Sequence, residues 1–301
     1  MNDLKIGTSG WSYKDWVGTF YPKTQSKTFD WLEYYSEYFN AVEVNSTYYT
    51  YINPSVVEGW INKVEDKENF LFTIKLHQNF THIRKYSNEN IKAVKINLEK
   101  LTKAERFGGL LIQFPYSFVL NKENADHIKT LVEIFSEYDK SIEVRHKSWF
   151  IERFFNFISK NRTTLCTIDQ PDIGEAIGFN TLQPGESLLE GQTGSYVRLH
   201  GRNKDAWLES INNFNKGQSY EQQSARYNYL YTPGEIVELG LKIKDAMKKN
   251  KKIFIYLNNH PNGNAVVNAL ELINFLKGQT GVKVPETTLI AYPRLSKIST
   301  N

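Results

Sequence analysis

The sequence predicts an α/β protein built as a single TIM-type (β/α)8 barrel over residues 1–301. Three observations carry this. Eight short runs have the length and β-branched content of strands, helical patterns separate most of them, and the runs alternate apolar with polar residues. Strand alternating with helix implies a parallel sheet, because parallel neighbours need a crossover between them. Eight such units in a chain of 301 residues suit one closed barrel.

The strand-like runs, in order, are KIGTSG (5–10), AVEVNS (41–46), FLFTIKL (70–76), GGLLIQF (108–114), SIEVRH (141–146), TLCTID (164–169), SYVRLHG (195–201) and KIFIYLN (252–258). Helical patterns occupy 29–39, 54–64, 89–105, 122–138, 148–159, 233–249 and 264–276. Pro54 and Pro233 fit a first helical turn, where the missing N–H costs nothing, and Ser148 suits a helix cap. The sixth connection, DIGEAIGFNTLQPGESLLEGQTG (172–194), has glycines and a proline spaced against a full helix, so an irregular segment is expected there.

A period of two assigns faces to each strand. Val42 and Val44 oppose Glu43 and Asn45; Phe72 and Ile74 oppose Thr73 and Lys75; Ile112 opposes Gln113; Ile142 and Val144 oppose Glu143 and Arg145. Strand six offers Thr167 and Asp169, strand seven Arg198 and His200, strand eight Tyr256 and Asn258. The apolar sets should lie under the outer helices. The polar sets then point into the barrel near the C-terminal strand ends, where such barrels carry active sites. One buried Glu–Arg pair could merely satisfy itself. Polar groups on seven consecutive strands would carry a large desolvation cost without a pocket to serve, which favours a functional site.

The loops beyond these strand ends are aromatic. GWSYKDWVGTFYP supplies Trp11, Tyr13 and Trp16, TYYTY follows strand two, and RYNYLY (226–231) precedes the seventh helix. Such surfaces suit the faces of sugars or bases, although aromatics also seal barrel mouths by packing on each other. In NNHPNGNAVVNAL, Gly263 permits a tight turn, and the helix opening at Asn264 would offer free N–H groups to an anion.

Composition narrows the class. Hydrophobic residues make up 40% of the chain and the formal net charge is +4, which fits an anionic small molecule or a nucleic acid. No apolar run reaches membrane-span length, and the N-terminus lacks a signal-peptide pattern, so no membrane association and a cytoplasmic location are expected. The single Cys166 sits in a strand-like run and reads as a buried hydrophobe. The basic run KKNKK (248–252) reads as a solvated helix end. No feature assigns an oligomeric state.

GTSGWSYKDWVGTFYP, VEVNSTYY, FTIK with THIRK, GGLLIQFPYSF, IEVRHKSW, YVRLHGR and YLNNHPNGNAVVNA together resemble the YecE-like family, domain of unknown function family 72. The resemblance spans nearly the whole chain in order. It implies a TIM-type barrel and no settled activity; fold analogy connects the family with sugar isomerases and with metal-dependent endonucleases of abasic DNA. Carried over by motif, the distinctive polar positions are Glu43, Asn45, Lys75, His82, Gln113, Glu143, Arg145, Arg198, His200 and Asn258.

The leading expectation is an enzyme acting by acid/base chemistry on a small anionic or phosphorylated polyhydroxylated substrate. Glu143 or Glu43 would be the base, and His200 or Lys75 the proton donor. Arg145, Arg198 and the Gly263 helix end would hold the anion, while Asn45, His82, Gln113, Asp169 and Asn258 orient the substrate beside Trp11, Tyr13 and Trp16. No cofactor is expected. A divalent metal on Glu43, Glu143, Asp169 and His200 is the weaker alternative, since Lys75, Arg145 and Arg198 would repel a cation and no HxH or HExxH spacing occurs. A retaining glycosidase ranks low, because strands four and seven carry no carboxylate. A nucleic-acid-binding or endonuclease-like barrel and a non-catalytic small-molecule sensor are the other classes.

Overall fold

The computed structural model describes residues 3–179, 195–212, 219, 222, 224–248 and 252–300. Eight parallel strands close a barrel in sequence order: β1 (Asp3–Ser9), β2 (Ala41–Val44), β3 (Leu71–Lys75), β4 (Phe107–Gln113), β5 (Lys140–Glu143), β6 (Thr163–Asp169), β7 (Ser195–Leu199) and β8 (Lys252–Leu257). Every strand expected from the sequence is present. Among the described residues no helix is long and apolar enough to cross a membrane.

The outer helices follow local signals. Helix Pro54–Lys63 begins on its proline with Asn53 as cap, and helix Asn88–Lys103 opens with a capping box from Ser87 to Asn90. Helix Pro233–Met247 combines both devices, with Pro233 in its first turn and a Thr232–Glu235 box. Helix Asn264–Leu276 is buried along most of its length, packed between the barrel and helix Pro233–Met247. Gly240 is required at that contact, since a Cβ there would lie 2.3 Å from the Phe275 ring.

Several elements depart from expectation. Helix 29–39 is limited to Trp31–Ser36, because the Asp30 carboxylate accepts the Leu32 and Glu33 N–H groups and starts the helix there. Helix Lys122–Ile134 stops short of 138. Ser148 does not cap a helix: it lies in a 3-10 turn, Lys147–Trp149, capped by His146, and its Oγ accepts the Leu120 N–H. The helix proper is Glu152–Lys160. Helix Lys204–Asn212, after β7, was not foreseen. Residues 170–179 of the sixth connection hold no helix, as expected, while 180–194 lie outside the described residues, as do Lys249–Lys251 of the basic run.

Register fixes which side chains enter the barrel, because paired residues on parallel neighbours share a face. Glu43 pairs with Ser9 and Thr73, Gln113 with Glu143, and Arg198 with Tyr256. On β6 the expected parity is inverted. Cys166 pairs with Tyr196 and Ile168 with Arg198, so Cys166 and Ile168 face inward while Thr167 and Asp169 face the outer layer. Removing the Thr232 hydroxyl tests the helix that closes this layer. Thr232→Ala should cost about 1 kcal/mol, read as a lower urea midpoint at unchanged slope.

Candidate active site

Halfway up the barrel the interior is ionic. Arg198 donates from Nε to Glu43 Oε2 at 2.9 Å, from Nη2 to Glu43 Oε1 at 2.6 Å, and from Nη1 to Glu143 Oε2 at 2.5 Å. Glu43 also accepts from Ser9 Oγ (2.8 Å) and Tyr196 OH (2.7 Å). Glu143 accepts from Arg145 Nε at 2.7 Å. Glu43 and Glu143 are fully buried and Arg198 is 1% exposed, so each charge depends on its partners. Burial works against a charged Glu143, but Arg198, Arg145 and His200 hold its carboxyl well below the usual range. Burial likewise opposes the Arg198 charge, and the two glutamates override it.

His200 lies directly above. Asn258 Nδ2 meets its Nδ1 at 3.0 Å, and Arg145 Nη2 lies 3.4 Å from Nε2. Burial, with Arg145 and Arg198 nearby, pushes its pKa down to about 3 despite Glu143, so the ring is neutral at pH 7.

The next layer is the mouth. Lys75 Nζ lies 4.3 Å from the centre of the Tyr48 ring and has no hydrogen bond or ion pair to a described residue. Burial first, then Arg198, lowers its pKa to about 8. Tyr227, which burial alone would raise, is brought down to about 8 by Arg226, Arg145, Lys75 and Arg198. Arg145 stacks on Trp207 at 5.2 Å, and Arg226 on Tyr227 at 4.8 Å and on Trp207 at 5.5 Å. His82 packs edge-on to Tyr48, and burial with Lys75, Arg145 and Arg226 takes it down to about 3. Asn45 follows the Val44–Ile74 register pair and so stands beside Lys75, with its Oδ1 buried and unbonded.

The expected site residues therefore divide. Glu43, Asn45, Lys75, His82, Glu143, Arg145, His200 and Asn258 come together. Arg198 joins them as the counter-ion of the glutamates, below the mouth, with Nε, Nη1 and Nη2 all engaged, so it is not placed to hold a substrate anion. Gln113 gives its Nε2 to the Phe114 carbonyl at 2.6 Å. Asp169 is outside the barrel, accepting from Arg202 and from Tyr231 OH at 2.6 Å. The first loop is packing. Trp16 is fully buried with Nε1 on the His260 carbonyl, Tyr13 stacks on His260 at 4.4 Å, and Trp11 meets Trp60 edge-on. At Gly263 the preceding turn is already served by an acid, since Asp15 Oδ2 accepts the Asn262 N–H at 2.7 Å.

Sequence reasoning missed Ser9, Tyr48, Tyr196, Trp207, Arg226 and Tyr227. The period of two would have found Ser9 and Tyr196. Tyr48, Arg226 and Tyr227 were visible only within the aromatic runs TYYTY and RYNYLY, and Trp207, on the unforeseen helix Lys204–Asn212, was not singled out. Among the described residues no three His, Cys, Asp or Glu side chains form a group able to hold a metal ion, and the four ligands weighed from sequence are split by the barrel wall.

Fold and site define a (β/α)8 barrel with an ion-paired interior and a cationic, aromatic mouth. The model of the family described as "Protein of unknown function DUF72" matches residues 5–289, and the chain belongs to that family. It is 26% identical over 283 residues to UPF0759 protein YunF of Bacillus subtilis (strain 168), covering 91% of this chain and 94% of that one. The crystal structure of the DUF72 family protein TM1631 from Thermotoga maritima MSB8 superposes with a TM-score of 0.76 at 26% identity, covering 91% of this chain and 99% of that one. That of EF0366 from Enterococcus faecalis V583 gives 0.75 at 23%, covering 94% and 98%, and supports the fold alone.

Two outcomes test the site. Arg198→Met would leave Glu43 and Glu143 buried without their shared cation, a loss of about 3–5 kcal/mol in denaturant unfolding. The neutral histidines set a pH slope. His82 and His200 titrate near 3 when folded against an ordinary 6.5, so the unfolded chain takes up their protons first. Their contribution is complete above pH 6.5 and is lost as pH falls toward 3. Unfolding free energy should fall between pH 7 and 4, and His200→Asn should make that slope shallower.

Proposed function

We propose that the mouth is the active site of an enzyme that binds a small anionic, polyhydroxylated molecule, phosphorylated or carboxylated, and moves protons on it. The supporting observation is the half-buried Lys75 ammonium, which has no ion-pair partner among the described residues, facing the same space as Arg145 and Arg226. With the two glutamates neutralised by Arg198 and Arg145, Lys75 and Arg226 leave the upper layer an excess of two positive charges, a place for an anion. Arg145 and Arg226 are fitted to hold it, and Asn45 and Asn258 to orient hydroxyls. Glu143, held well below the usual carboxylate range, is a weak base, whereas Lys75 and Tyr227, both near 8, are better matched to proton transfer at neutral pH. In this reading the glutamates organise the site and Lys75 does chemistry.

A nucleic-acid reading draws on one further observation. Tyr49 is 61% exposed beside Tyr48, and Arg226 stacks on two rings, an arrangement on which bases could stack. The same experiment separates the two. In a thermal-shift panel of phosphosugars, sugar acids, nucleotides and single-stranded oligonucleotides, phosphosugars or sugar acids should raise the melting temperature at pH 7. Because Lys75 loses its charge above about 8 and the Tyr227 phenol becomes anionic over the same range, the shift should weaken between pH 7 and 9. Lys75→Met should reduce that dependence, and Lys75→Met combined with Tyr227→Phe should remove it. Stabilisation by oligonucleotides alone, falling steeply with salt, would instead favour the nucleic-acid reading.

A further inference from the structure

Buried lysines in this protein normally have partners. Lys5 Nζ donates to the Asn69 carbonyl at 3.0 Å and pairs with Asp3, and Lys140 Nζ donates to the Tyr138 carbonyl at 3.0 Å. Lys75 departs from this pattern at the C-terminal end of β3, where, among the described residues, its amine meets the face of Tyr48 and no hydrogen-bond acceptor. Thr47 Oγ1 holds the Lys75 carbonyl at 2.7 Å, which anchors the strand end beneath the amine. One residue past the Val44–Ile74 register pair, Asn45 carries a buried acceptor, Oδ1, with no donor among the described residues. An unpaired amine, an unfilled acceptor and flanking arginines are together what a bound carbonyl compound with an anionic tail would complete.

We propose that Lys75 is a covalent catalyst whose amine forms a protonated Schiff base with the carbonyl carbon of a small anionic aldehyde or ketone. The proposal rests on the reading of the mouth as a small-anion site and names its substrate class. In the first step the amine lone pair forms a C–N bond as the carbonyl π pair moves to oxygen. One proton passes from nitrogen to that oxygen, giving a carbinolamine. The C–O bond then breaks and the hydroxyl leaves as water, taking a proton from the Tyr227 phenol, while nitrogen forms the C=N⁺ bond. No oxidant or reductant is needed. Asn45 Oδ1 is placed to accept from the carbinolamine hydroxyl, and Arg145 and Arg226 to hold the anionic tail. The iminium is an electron sink that makes the neighbouring C–H acidic, so proton transfer and Schiff-base chemistry belong to one site. At pH 7 the depressed Lys75 leaves roughly one amine in ten neutral, against roughly one in 2,500 for an ordinary lysine.

The test traps the iminium. The protein is incubated with dihydroxyacetone phosphate or glyceraldehyde 3-phosphate and sodium cyanoborohydride at pH 7, then digested and mapped by mass spectrometry. A stable secondary-amine adduct is expected on Lys75, forming at least about tenfold faster than on any other lysine, in line with its larger neutral fraction. Lys75→Met and Lys75→Arg, checked for native circular dichroism and melting, should lose that adduct. Glycerol 3-phosphate, which has the anion but no carbonyl, should raise the melting temperature and slow the trapping. A melting shift with glycerol 3-phosphate but no preferred labelling of Lys75 overturns the Schiff base and leaves the anion site standing. Absence of both overturns the two together, and labelling spread evenly over surface lysines also overturns the Schiff base.

Discussion

A guanidinium sealed inside a barrel needs a full set of acceptors, and the pairing of Arg198 with Glu43 and Glu143 supplies them from opposite sides. The three residues stand on β7, β2 and β5, so a single ion network spans the interior where many barrels place layers of branched apolar side chains. Removing charges from water is costly, and well-packed hydrophobes often hold a core as well or better. The arrangement is therefore explained better by what it does to its surroundings. Burial comes first in lowering Lys75 and His200, and Arg198 adds to it. Arg198 also overrides the burial that opposes a charged Glu143 and, after Arg226, Arg145 and Lys75, helps bring Tyr227 down. A deprotonated carboxylate, a weakly held ammonium and a neutral imidazole thus share one column.

Much of this was legible in the sequence, because the strands carry it. AVEV, SIEV and YVRL alternate so strictly that facing and burial follow from the period of two, and the structure places Glu43, Glu143 and Arg198 accordingly. In TTLCTID the same rule failed. Thr164 and Thr167 are both polar, so the pattern holds no parity of its own, and register against β5 and β7 decides it. Asp169 is then a polar residue on the outer face, tolerated because Arg202 and Tyr231 meet it there. The aromatic loops were legible only as composition. Trp16 and Tyr13 close the barrel rim through contacts with His260, far along the chain, whereas Tyr48, Trp207 and Tyr227 form the mouth through contacts with Lys75, Arg145 and Arg226. Composition alone does not separate the two sets.

The outer network around Asp169 has a use that its exclusion from the barrel first hides. Residues 225–231 bring Arg226 and Tyr227 over the mouth, and the outer layer ties this stretch down. Tyr231 OH reaches Asp169, its N–H donates to Asn268 at 3.0 Å, and Tyr229 OH donates to Glu235 at 2.8 Å. Asn259 Nδ2 donates to the Tyr229 carbonyl at 2.8 Å, joining the loop to the end of β8. Glu235 is also the partner of Thr232 in the capping box, so a helix start and the mouth's aromatic rim share one carboxylate.

The ionic layer and the mouth above it differ in how fully their polar atoms are met. The ionic layer is complete: both glutamates and Arg198 have partners at hydrogen-bond distance. Above it, among the described residues, Asn45 Oδ1, Trp207 Nε1 and Arg226 Nε are buried without a partner and the Lys75 amine has none either, while Asn97 Oδ1 and Ser195 Oγ are unpaired far from the mouth. Native proteins leave few such groups, and each calls for a reason. On the proposed reading the glutamates, conspicuous in the sequence, belong to the scaffold, and the chemistry is assigned to the layer that Lys75 enters.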